Sequence, residues 1–301
     1  MKKIKKIVTI SGGKDSTACA IWAINTYPKE ELSFIFCDTG WESQKTYEYL
    51  EYLEGALDIY IQILKPSRYK NFEDMITQKG RFPSTKARFC TEELKIKPMI
   101  DWILGQKEDL FIIQGIRANE SRKRADMNSL DDYFLYYNTP YGYTKGKPKY
   151  HKYRKKDVLN REQEFATGVY RPIFNWTAKD VFDYHNKHGI EPNPLYKMGF
   201  SRVGCFPCVM CNQAEVRLIA QQFPERIKQI EAIEEREGTT FFPPGFIPER
   251  FANKQVTTSK GAIKHVPTVT DVTKYVQDDP NQYNLFPQPK NACQSIYNLC
   301  E

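Results

Sequence analysis

Six consecutive residues near the start of the chain have the composition of a phosphate-binding loop. The sequence from Ser11 to Ser16 is Ser-Gly-Gly-Lys-Asp-Ser. Two glycines let the backbone approach a phosphate closely, because no Cβ stands in the way. The hydroxyls and the lysine ammonium add donors and positive charge. We therefore expect the whole loop to bind a nucleotide through its six residues, Ser11, Gly12, Gly13, Lys14, Asp15 and Ser16.

A second group of residues suited to chemistry is a run of closely spaced cysteines. Cys205, Cys208 and Cys211 form a Cys-x-x-Cys-x-x-Cys sequence, which is the spacing that binds iron–sulfur clusters in bacterial ferredoxins. Zinc sites usually pair two Cys-x-x-Cys arms or add histidines, and neither accompanies this run. We predict a [4Fe-4S] cluster, with Zn²⁺ or reduced catalytic thiols as the alternatives.

Two further cysteines are predicted to differ in character. Cys90 follows Lys86 and Arg88 and precedes Lys95, and a thiol among cations is expected to have a depressed pKa. Cys19 lies on the apolar face of the first predicted helix and is expected to be a packed core thiol.

The residues around the glycine loop predict the elements that must position it. The β-branched run 7–10 is typical of a buried strand. Apolar residues over 18–24 recur with helical spacing, and Asp15 is a candidate N-cap. The N-terminus of a helix favours an anion. Neither the Walker spacing nor Gly-x-Gly-x-x-Gly is present, so this strand–loop–helix is another type of nucleotide-binding motif.

Four more segments are predicted strands, and candidate ligand-binding residues follow two of them. The predicted strands are 32–37, 57–64, 110–113 and 168–173. Ligands of open α/β sheets bind beyond the carboxyl ends of the strands. Asp38, after the second strand, is therefore placed to meet a ribose, an adenine or a Mg²⁺ ion. Gly115, Arg117 and Arg124 follow the fourth strand and are suited to phosphate.

Length and composition predict an ordinary globular protein. The chain has 301 residues, 41% of them hydrophobic, and a formal net charge of +7. The length allows one large domain or two small ones, and the positive charge favours an anionic partner. No apolar run is long enough to span a membrane, and the first residues lack the pattern of a signal peptide. We expect a cytoplasmic protein that does not contact membranes.

Residues 126–168 are rich in tyrosine and lysine and have little hydrophobic periodicity. We interpret them as a basic insertion near the mouth of the active site. Aromatic residues interleaved with cations can stack on bases and neutralise phosphates. A solvated loop is the alternative interpretation of the same composition.

Taken together, these motifs resemble the PP-loop ATP pyrophosphatase superfamily and, within it, the branch similar to phosphoadenosine phosphosulfate reductases. The resemblance covers roughly two thirds of the chain. It rests on the glycine loop, on Arg-Phe-Cys-Thr around Cys90, on Gly-x-Arg-x-x-Glu-Ser-x-x-Arg from Gly115 to Arg124, on Pro-Ile-x-x-Trp-Thr-x-x-Asp-Val from Pro172, on Asn-Pro-Leu-Tyr from Asn193, and on the cysteine run.

The resemblance implies a fold and a division of the chain. The fold is α/β, an adenine nucleotide α-hydrolase-like (HUP or Rossmann-like) parallel five-stranded sheet flanked by helices. A helical cysteine-cluster region follows it. We expect a nucleotide-binding domain over 1–190 and the cysteine-cluster region, with helices and an extended tail, over 191–301.

The resemblance also implies ATP-dependent chemistry that forms AMP and pyrophosphate. Lys14, Asp15 and Arg117 are the expected catalytic residues, with Mg²⁺ sharing the charge on the phosphates. Cys90 is the expected fourth cluster ligand, because the branch carries both cysteine motifs. The expected partners are ATP, a nucleic acid acceptor and a sulfur donor protein such as a cysteine desulfurase, and we expect a homo-oligomer.

Two departures from the reductases favour a sulfurtransferase or adenylating enzyme. Reductases of the family carry a degenerate glycine loop and a Glu-Cys-Gly motif, whereas this chain keeps the full loop and has no such motif. The alternatives are a sulfite-forming reductase, for which Cys293 or Cys300 would have to be essential, and a nucleotide-binding regulatory module without turnover.

Overall fold

The structure is a computed structural model that describes residues 4–257 and 261–278. Cys293 and Cys300 lie outside the described residues. The chain divides into two compact units. We call the first the sheet unit, made of Met1–Asp38, Gln44–Lys65 and Lys95–Pro194. We call the second the cysteine unit, made of Thr39–Ser43, Pro66–Leu94 and Leu195–Glu301.

The cysteine unit therefore takes two segments from the N-terminal half of the chain. The sequence analysis places the boundary at residue 190 alone. The physical reason for the difference is packing: Trp41, Phe72 and Leu94 are buried in the same hydrophobic cluster as Val216 and Ile230. Side chains that share a core belong to one unit wherever they lie in the chain.

The structure contains ten strands among its described residues. In chain order they are β1 Ile4–Ile10, β2 Leu32–Cys37, β3 Ile61–Leu64, β4 Asp109–Ile113, β5 Leu130–Asp132, β6 Gly142–Thr144, β7 Lys147–Lys149, β8 Thr167–Tyr170, β9 Lys254–Thr257 and β10 Ile263–Val266.

The sheet unit is built on a six-stranded sheet of order β3-β2-β1-β4-β8-β5. The five predicted strands pair in parallel, with Val8 opposite Phe34 and Ile7 opposite Ile112. The predicted α/β fold is confirmed. The sheet has one strand more than predicted, because β5 of the insertion pairs antiparallel with β8.

Helices alternate with the strands of the central sheet, as expected when helices cover both faces of a parallel sheet. In chain order they are α1 Lys14–Thr26, α2 Gln44–Leu57, α3 Phe72–Lys79, α4 Phe89–Thr91, α5 Lys97–Leu104, α6 Arg122–Ala125, α7 Leu135–Asn138, α8 Lys155–Glu162, α9 Ala178–Lys187, α10 Pro194–Lys197, α11 Gln213–Gln222, α12 Pro224–Glu237 and α13 Val269–Asp278. A π-helix, Glu92–Ile96, and three 3₁₀ turns, Lys29–Glu31, Ala118–Glu120 and Glu249–Phe251, complete the described elements.

Alternate side chains of the central strands face two separate cores of the sheet unit. Val8 and Phe36 belong to one cluster with residues of α1, α2 and α9. Ile7 and Ile112 belong to another, with residues of α5 and of the insertion. This period of two, with both faces covered, is what a parallel sheet requires.

The insertion is packed rather than loose over part of its length. Phe134, Tyr137 and Val158 are buried in the second of these clusters. The hairpin formed by β6 and β7 lies outside the six-stranded sheet. The weak hydrophobic periodicity of the insertion therefore gives no indication that these three residues are buried in the core.

The cysteine unit has a helical core of its own. Residues of α3, α11, α12 and α13 surround one apolar cluster, with Met75, Val216, Ile233 and Val272 fully or almost fully buried. The strands β9 and β10 form a separate antiparallel pair. Among the described residues, none of the helices is both long enough and apolar enough to cross a membrane.

Candidate functional site

A cavity opens where the central strands of the sheet unit end. Its volume is about 310 Å³, which lies in the range of small-ligand sites. Residues that end β1, β2 and β4 form its floor, and α5 and the start of the insertion form its sides. The lining includes Ser11, Phe36, Met99, Gly115, Arg124 and Tyr133. This is the position at which open α/β sheets bind ligands.

The glycine loop is held in one conformation by the hydroxyl of Ser16. That oxygen accepts the N–H of Ser11 at 3.1 Å, lies 3.0 Å from the Ser11 hydroxyl and donates to the carbonyl of Gly13 at 3.0 Å. Thr17 donates to the same carbonyl at 3.1 Å. The loop is therefore preorganised by its own side chains.

Gly13, and not Asp15, is the N-cap of α1, so the predicted N-cap role of Asp15 is wrong. Asp15 lies in the first turn, where its carboxylate is paired with cations. Because Gly13 has no side chain, no Cβ of the N-cap residue stands between the first turn of the helix and a ligand. The positive end of the helix dipole favours an anion at this place.

Two glycines are required by the close approach of other groups. A Cβ on Gly115 would lie 2.6 Å from the backbone N of Ser16 and 2.6 Å from the carbonyl carbon of Asp15. Gly12 has a φ of +72°, and a Cβ there would meet Thr46 at 2.6 Å. The loop after β4 thus packs backbone to backbone on the first turn of α1.

The three predicted catalytic residues lie together. The Arg117 Nε donates to Oδ1 of Asp15 at 2.6 Å, and the Lys14 Nζ is 3.6 Å from Oδ2. Arg117 is itself held by Glu120, whose carboxylate accepts the Arg117 N–H at 2.9 Å. Lys14 and Arg117 are buried. Asp15 therefore fixes two cations at the start of α1.

The predicted nucleotide-binding residues divide into two groups around the cavity. Ser11, Ser16, Gly115 and Arg124 are part of its lining. The remaining six are not part of it: Gly12, Gly13, Lys14, Asp15, Asp38 and Arg117. Asp38 follows β2, and its Oδ1 accepts the hydroxyl of Tyr47 at 2.7 Å. Arg124 pairs with Glu120.

Two buried residues that support the loop were not among the predicted site residues. His185 has no exposed surface, and its Nε2 lies 2.8 Å from the carbonyl oxygen of Lys14. Asn193, equally buried, donates to the carbonyl of Gly12 at 3.1 Å. The sequence analysis quotes Asn193 only as part of a motif and assigns His185 no role. Burial lowers the pKa of His185, which keeps the imidazole neutral.

The cavity also has an apolar and sulfur-bearing wall that the sequence motifs do not mark. Phe36, Met99 and Ile116 supply apolar surface. The thiol of Cys37 donates to the carbonyl of Lys95 at 3.6 Å. An apolar slot beside a polar loop suits a purine next to its phosphates. Phe36 and Cys37 end β2, Ile116 follows β4 and Met99 lies in α5, so only the tertiary fold shows that they line one wall.

The four predicted cluster ligands all belong to the cysteine unit. Cys211 is buried in the apolar cluster around Met75 and Val216, and Cys90 and Cys205 pack against it. Cys208 is close enough to Cys90 and Cys211 for its charge to raise the pKa of both thiols. Cys205 lies 3.9 Å from Oε1 of the buried Glu42. The fold thus brings residue 90 to the cysteine run, more than a hundred residues later.

The predicted depression of the Cys90 pKa is wrong. Burial raises the pKa of this thiol, and the charge of Cys208 raises it further, while Arg88 lowers it only weakly. Burial likewise raises the pKa of Cys211. Cys19 is fully buried, with its pKa well above the usual value, which confirms the predicted core thiol.

The donor set suits an iron–sulfur cluster chemically. Three of the thiols share one apolar neighbourhood, and Cys208 is close to two of them. Burial that disfavours free thiolates is offset when iron takes their charge. Among the described residues, no three His, Cys, Asp or Glu side chains are arranged to hold a metal ion.

Comparison with known families gives one match over most of the chain. The Phosphoadenosine phosphosulfate reductase domain matches residues 5–211. An uncharacterised 37.8 kDa protein of Escherichia phage 186 is 32% identical over 98% of this chain and 96% of its own length. The adenosine 5′-phosphosulfate reductase of Bacillus pumilus is 24% identical over 60% of this chain and 64% of its own length.

Other similar proteins match less of their own length or are similar only at a distance. An uncharacterised protein of Methanocaldococcus jannaschii is 30% identical over 74% of this chain, but the match spans only 40% of that protein. Among solved structures, the phosphoadenylyl-sulfate reductase of Candida auris gives a TM-score of 0.45 at 15% identity, over 69% of this chain and 83% of its own. The U34-tRNA thiolase NcsA of Methanococcus maripaludis gives a TM-score of 0.36 at 12% identity, over 99% of this chain and 79% of its own.

Proposed function

This chain belongs to the Phosphoadenosine phosphosulfate reductase domain family, and we propose that it is an ATP-dependent, cluster-bearing member of it. The reaction we assign is cleavage of ATP to AMP and pyrophosphate, with adenylation of an acceptor that sulfur then attacks. One observation supports this most strongly. The cavity of the sheet unit is lined by Ser11 and Ser16 of a complete, preorganised glycine loop at the N-terminus of α1.

The residues around the cavity divide the work of binding ATP. The apolar wall of Phe36, Met99 and Ile116 accommodates the adenine. The loop hydroxyls, the start of α1 and Arg124 bind the phosphates. Lys14 and Arg117, positioned by Asp15, supply the positive charge that stabilises a pentacovalent α-phosphate and the departing pyrophosphate.

The first step is an in-line displacement at the α-phosphate. An acceptor oxygen forms a bond to the α-phosphorus, the bond to the bridging oxygen of the β-phosphate breaks, and pyrophosphate leaves with the electron pair. In the second step a sulfur nucleophile replaces AMP on the acceptor. Mg²⁺ arrives with the phosphates, since both oxygens of Asp15 are already engaged by cations.

The cysteine unit would hold the cluster through Cys90, Cys205, Cys208 and Cys211. When bound, a [4Fe-4S] cluster would supply a redox-active iron–sulfur centre, and because four thiolates take all four irons, incoming sulfur would have to displace one of them to bind the cluster. A persulfide-bearing donor protein, such as a cysteine desulfurase, would supply that sulfur, and a thiol reductant would supply the two electrons that bring it to the level of sulfide. Before the cluster binds, burial keeps Cys90 and Cys211 protonated, so loading it releases protons.

A sulfite-forming reductase is the second candidate. It is favoured by the curated adenosine 5′-phosphosulfate reductase relatives, at 23–25% identity. In that reaction a thiolate attacks the sulfur of the phosphosulfate, and AMP or its 3′-phosphate leaves. The complete glycine loop favours a triphosphate over a phosphosulfate.

A competition experiment separates these functions. Radiolabelled ATP is bound to the full chain purified without oxygen, and unlabelled phosphoadenosine phosphosulfate and adenosine phosphosulfate are added as competitors. We expect both competitors to bind at least tenfold more weakly than ATP, and no sulfite when they are supplied with reduced thioredoxin. Tighter binding of a phosphosulfate with sulfite release would establish the reductase. Binding of ATP without any cleavage, when Mg²⁺, sulfide and single-stranded nucleic acid are also supplied, would establish a regulatory module.

A further inference from the structure

We propose that the hairpin of the insertion is a binding surface for single-stranded nucleic acid, and that it presents the acceptor of the reaction assigned above. The surface, here called the basic hairpin, consists of β6, β7, the connecting turn and the aromatic residues at its base. The proposal rests on the proposed function for the acceptor role. The binding itself does not depend on ATP.

The first observation is the concentration of charge. The segment 133–156 contains seven Lys or Arg residues and no Asp or Glu. Lys145, Lys147 and Lys149 are exposed, and none of the three forms an ion pair with another residue in the described part of the chain. Of the seven cations, Arg154 is paired, with Asp101 and Asp157. Most of this charge is therefore left for an external anion.

The second observation is the geometry of the hairpin. Gly142 lies opposite Lys149, and Thr144 lies opposite Lys147. Alternate residues of a strand project from the same face, so Lys147 and Lys149 share one face of the hairpin, and Tyr143, opposite Pro148, lies on the other. The turn residues Lys145 and Gly146 both have positive φ, 48° and 75°, which is typical of a tight two-residue hairpin turn. The lysines are thus spaced along one short ridge.

The third observation is a set of aromatic rings that the core does not use. Tyr143 is 69% exposed and Tyr141 is 51% exposed. At the base of the hairpin, the rings of Tyr141 and His151 are stacked with centroids 5.0 Å apart, and the edge of Tyr136 meets both rings. These rings form a small exposed stack onto which a further flat ring can be added.

Charge and stacking together identify the kind of partner. Cations that follow a phosphate backbone and aromatic rings that stack on bases are the two components of single-strand binding. A duplex hides the faces of its bases, so the tyrosines would gain nothing from it. An anionic membrane surface would also attract the lysines, but residues 141–156 include no Leu, Ile, Val, Met, Phe or Trp that could insert below the headgroups.

The position of the insertion connects this surface with the cavity. Arg124 and Tyr133 line the cavity, and the chain runs from Tyr133 through α7 directly into the hairpin. The backbone of His151, which follows the hairpin, donates to the carbonyl of Tyr136 in α7 at 3.0 Å. A nucleic acid strand bound on the hairpin is therefore held by the same segment that forms one wall of the cavity.

The test is an equilibrium binding measurement by fluorescence anisotropy on the full chain without ATP. The probes are a labelled 20-nucleotide single strand, as RNA and as DNA, its duplex, and unlabelled polyphosphate as competitor. We expect the single strands to bind more tightly than the duplex. Replacing Lys145, Lys147 and Lys149 by Ala should weaken binding ten- to a hundredfold near 0.1 M salt and reduce the salt slope by about 2.

The aromatic contribution is tested with one exposed tyrosine and a matched control. Tyr143→Ala should weaken single-strand binding about tenfold, with the salt slope unchanged. Tyr60, which is 76% exposed and also belongs to the sheet unit, provides the control variant Tyr60→Ala, which should bind as the wild type does. Because Tyr143 is so exposed, its loss should leave the fold intact.

The charge control replaces three exposed lysines elsewhere, Lys107, Lys187 and Lys228, by Ala. The proposal is overturned if this control weakens binding as much as the hairpin variant does. It is also overturned if Tyr143→Ala has no effect, or if polyphosphate displaces the strand as efficiently as an unlabelled strand. A failure of the proposed function is seen separately, as a wild-type chain that still binds the nucleic acid strand but neither binds nor cleaves ATP.

Discussion

Gly115 carries the closest backbone contact of the candidate nucleotide site. The loop after β4 touches the first turn of α1 with no room for a single methyl group, since the atoms in the way are backbone atoms that cannot rotate aside. The position of the first turn, and with it the whole glycine loop, depends on this contact.

Gly115→Ala should therefore damage both stability and binding. We expect the free energy of unfolding to fall by about 1–3 kcal/mol and the affinity for ATP to fall at least tenfold, measured by urea denaturation and by calorimetric titration. The matched control is Gly55→Ala in α2, where a Cβ meets nothing within 4 Å. That variant should be as stable as the wild type or slightly more so. Equal effects of the two substitutions would contradict the account.

Asp15 positions two cations, so replacing it should lower the free energy of unfolding more than replacing a charged residue on the surface does. Asp15→Asn leaves the buried Arg117 without its carboxylate. Removing one partner of a buried ion pair typically lowers the free energy of unfolding by about 3–5 kcal/mol. We expect a large loss of stability in denaturation experiments, together with weaker ATP binding.

The control for Asp15 is an exposed ion pair of the same unit. Asp58 pairs with Lys29 at 2.7 Å on the surface, where such pairs contribute little. Asp58→Asn should leave the unfolding transition where it is in the wild type. If Asp15→Asn did the same, the positioning role of Asp15 would have to be abandoned.

At the scale of elements, a buried carboxylate joins helices of the cysteine unit. Glu234 in α12 accepts the N–H of Phe241 at 2.7 Å and the N–H of Val269, the first residue of α13, at 2.9 Å. Burial raises the pKa of Glu234 to about 7, and Asp271 adds to the rise while Lys254 opposes it. The folded state therefore binds a proton more tightly than the unfolded chain.

This pKa predicts how stability changes with pH. The contribution of Glu234 is complete below about pH 4.5 and is lost as the pH rises through 7. Relative to Glu234→Gln, the wild type should lose about 3 kcal/mol of unfolding free energy over that interval. Denaturation at several pH values measures it, with Glu235→Gln, on the exposed face of the same helix, following the wild type. A difference between wild type and Glu234→Gln that is independent of pH would refute the prediction.

Local sequence patterns predict some elements and not others, for physical reasons. The strands that contain Ile7 and Ile112 are continuous apolar runs, so their sequences predict that both faces of each strand are buried. Strand β5 contains two aspartates and exists because the edge of β8 is available for pairing. The helix α2 extends to Leu57, so the third strand begins at Ile61, four residues later than predicted.

The candidate site is likewise predicted only in part by local sequence. The glycine loop is contiguous in sequence, so its residue types alone indicate phosphate binding. The support from His185 and Asn193 comes from more than 170 residues away in the chain, and only the tertiary fold reveals it. The Cys90 pKa was predicted from neighbouring cations and is set instead by burial among residues that are distant in sequence.

At the scale of the whole molecule, the proposed cluster makes a prediction about composition. Protein purified without oxygen should contain about four iron and four sulfide per chain and absorb broadly in the visible range. Cys208→Ala should remove most of the iron, because Cys208 is the thiol that neighbours both Cys90 and Cys211. Elemental analysis and visible spectra measure this.

The matched control is Cys37→Ala, which alters a thiol of the sheet unit that lines the cavity. It should keep the full iron content. A colourless wild-type protein with one zinc per chain would show that the cysteines hold a structural ion instead.

The central claim is that this chain splits ATP between the α- and β-phosphates. The most direct measurement follows ATP labelled at the α-phosphate, incubated without oxygen with the full chain, Mg²⁺, sulfide and single-stranded nucleic acid. The account predicts label in AMP, free or attached to the acceptor, with an equal amount of pyrophosphate, and neither product with Lys14→Ala. Label appearing in ADP, or remaining entirely in ATP, would contradict it.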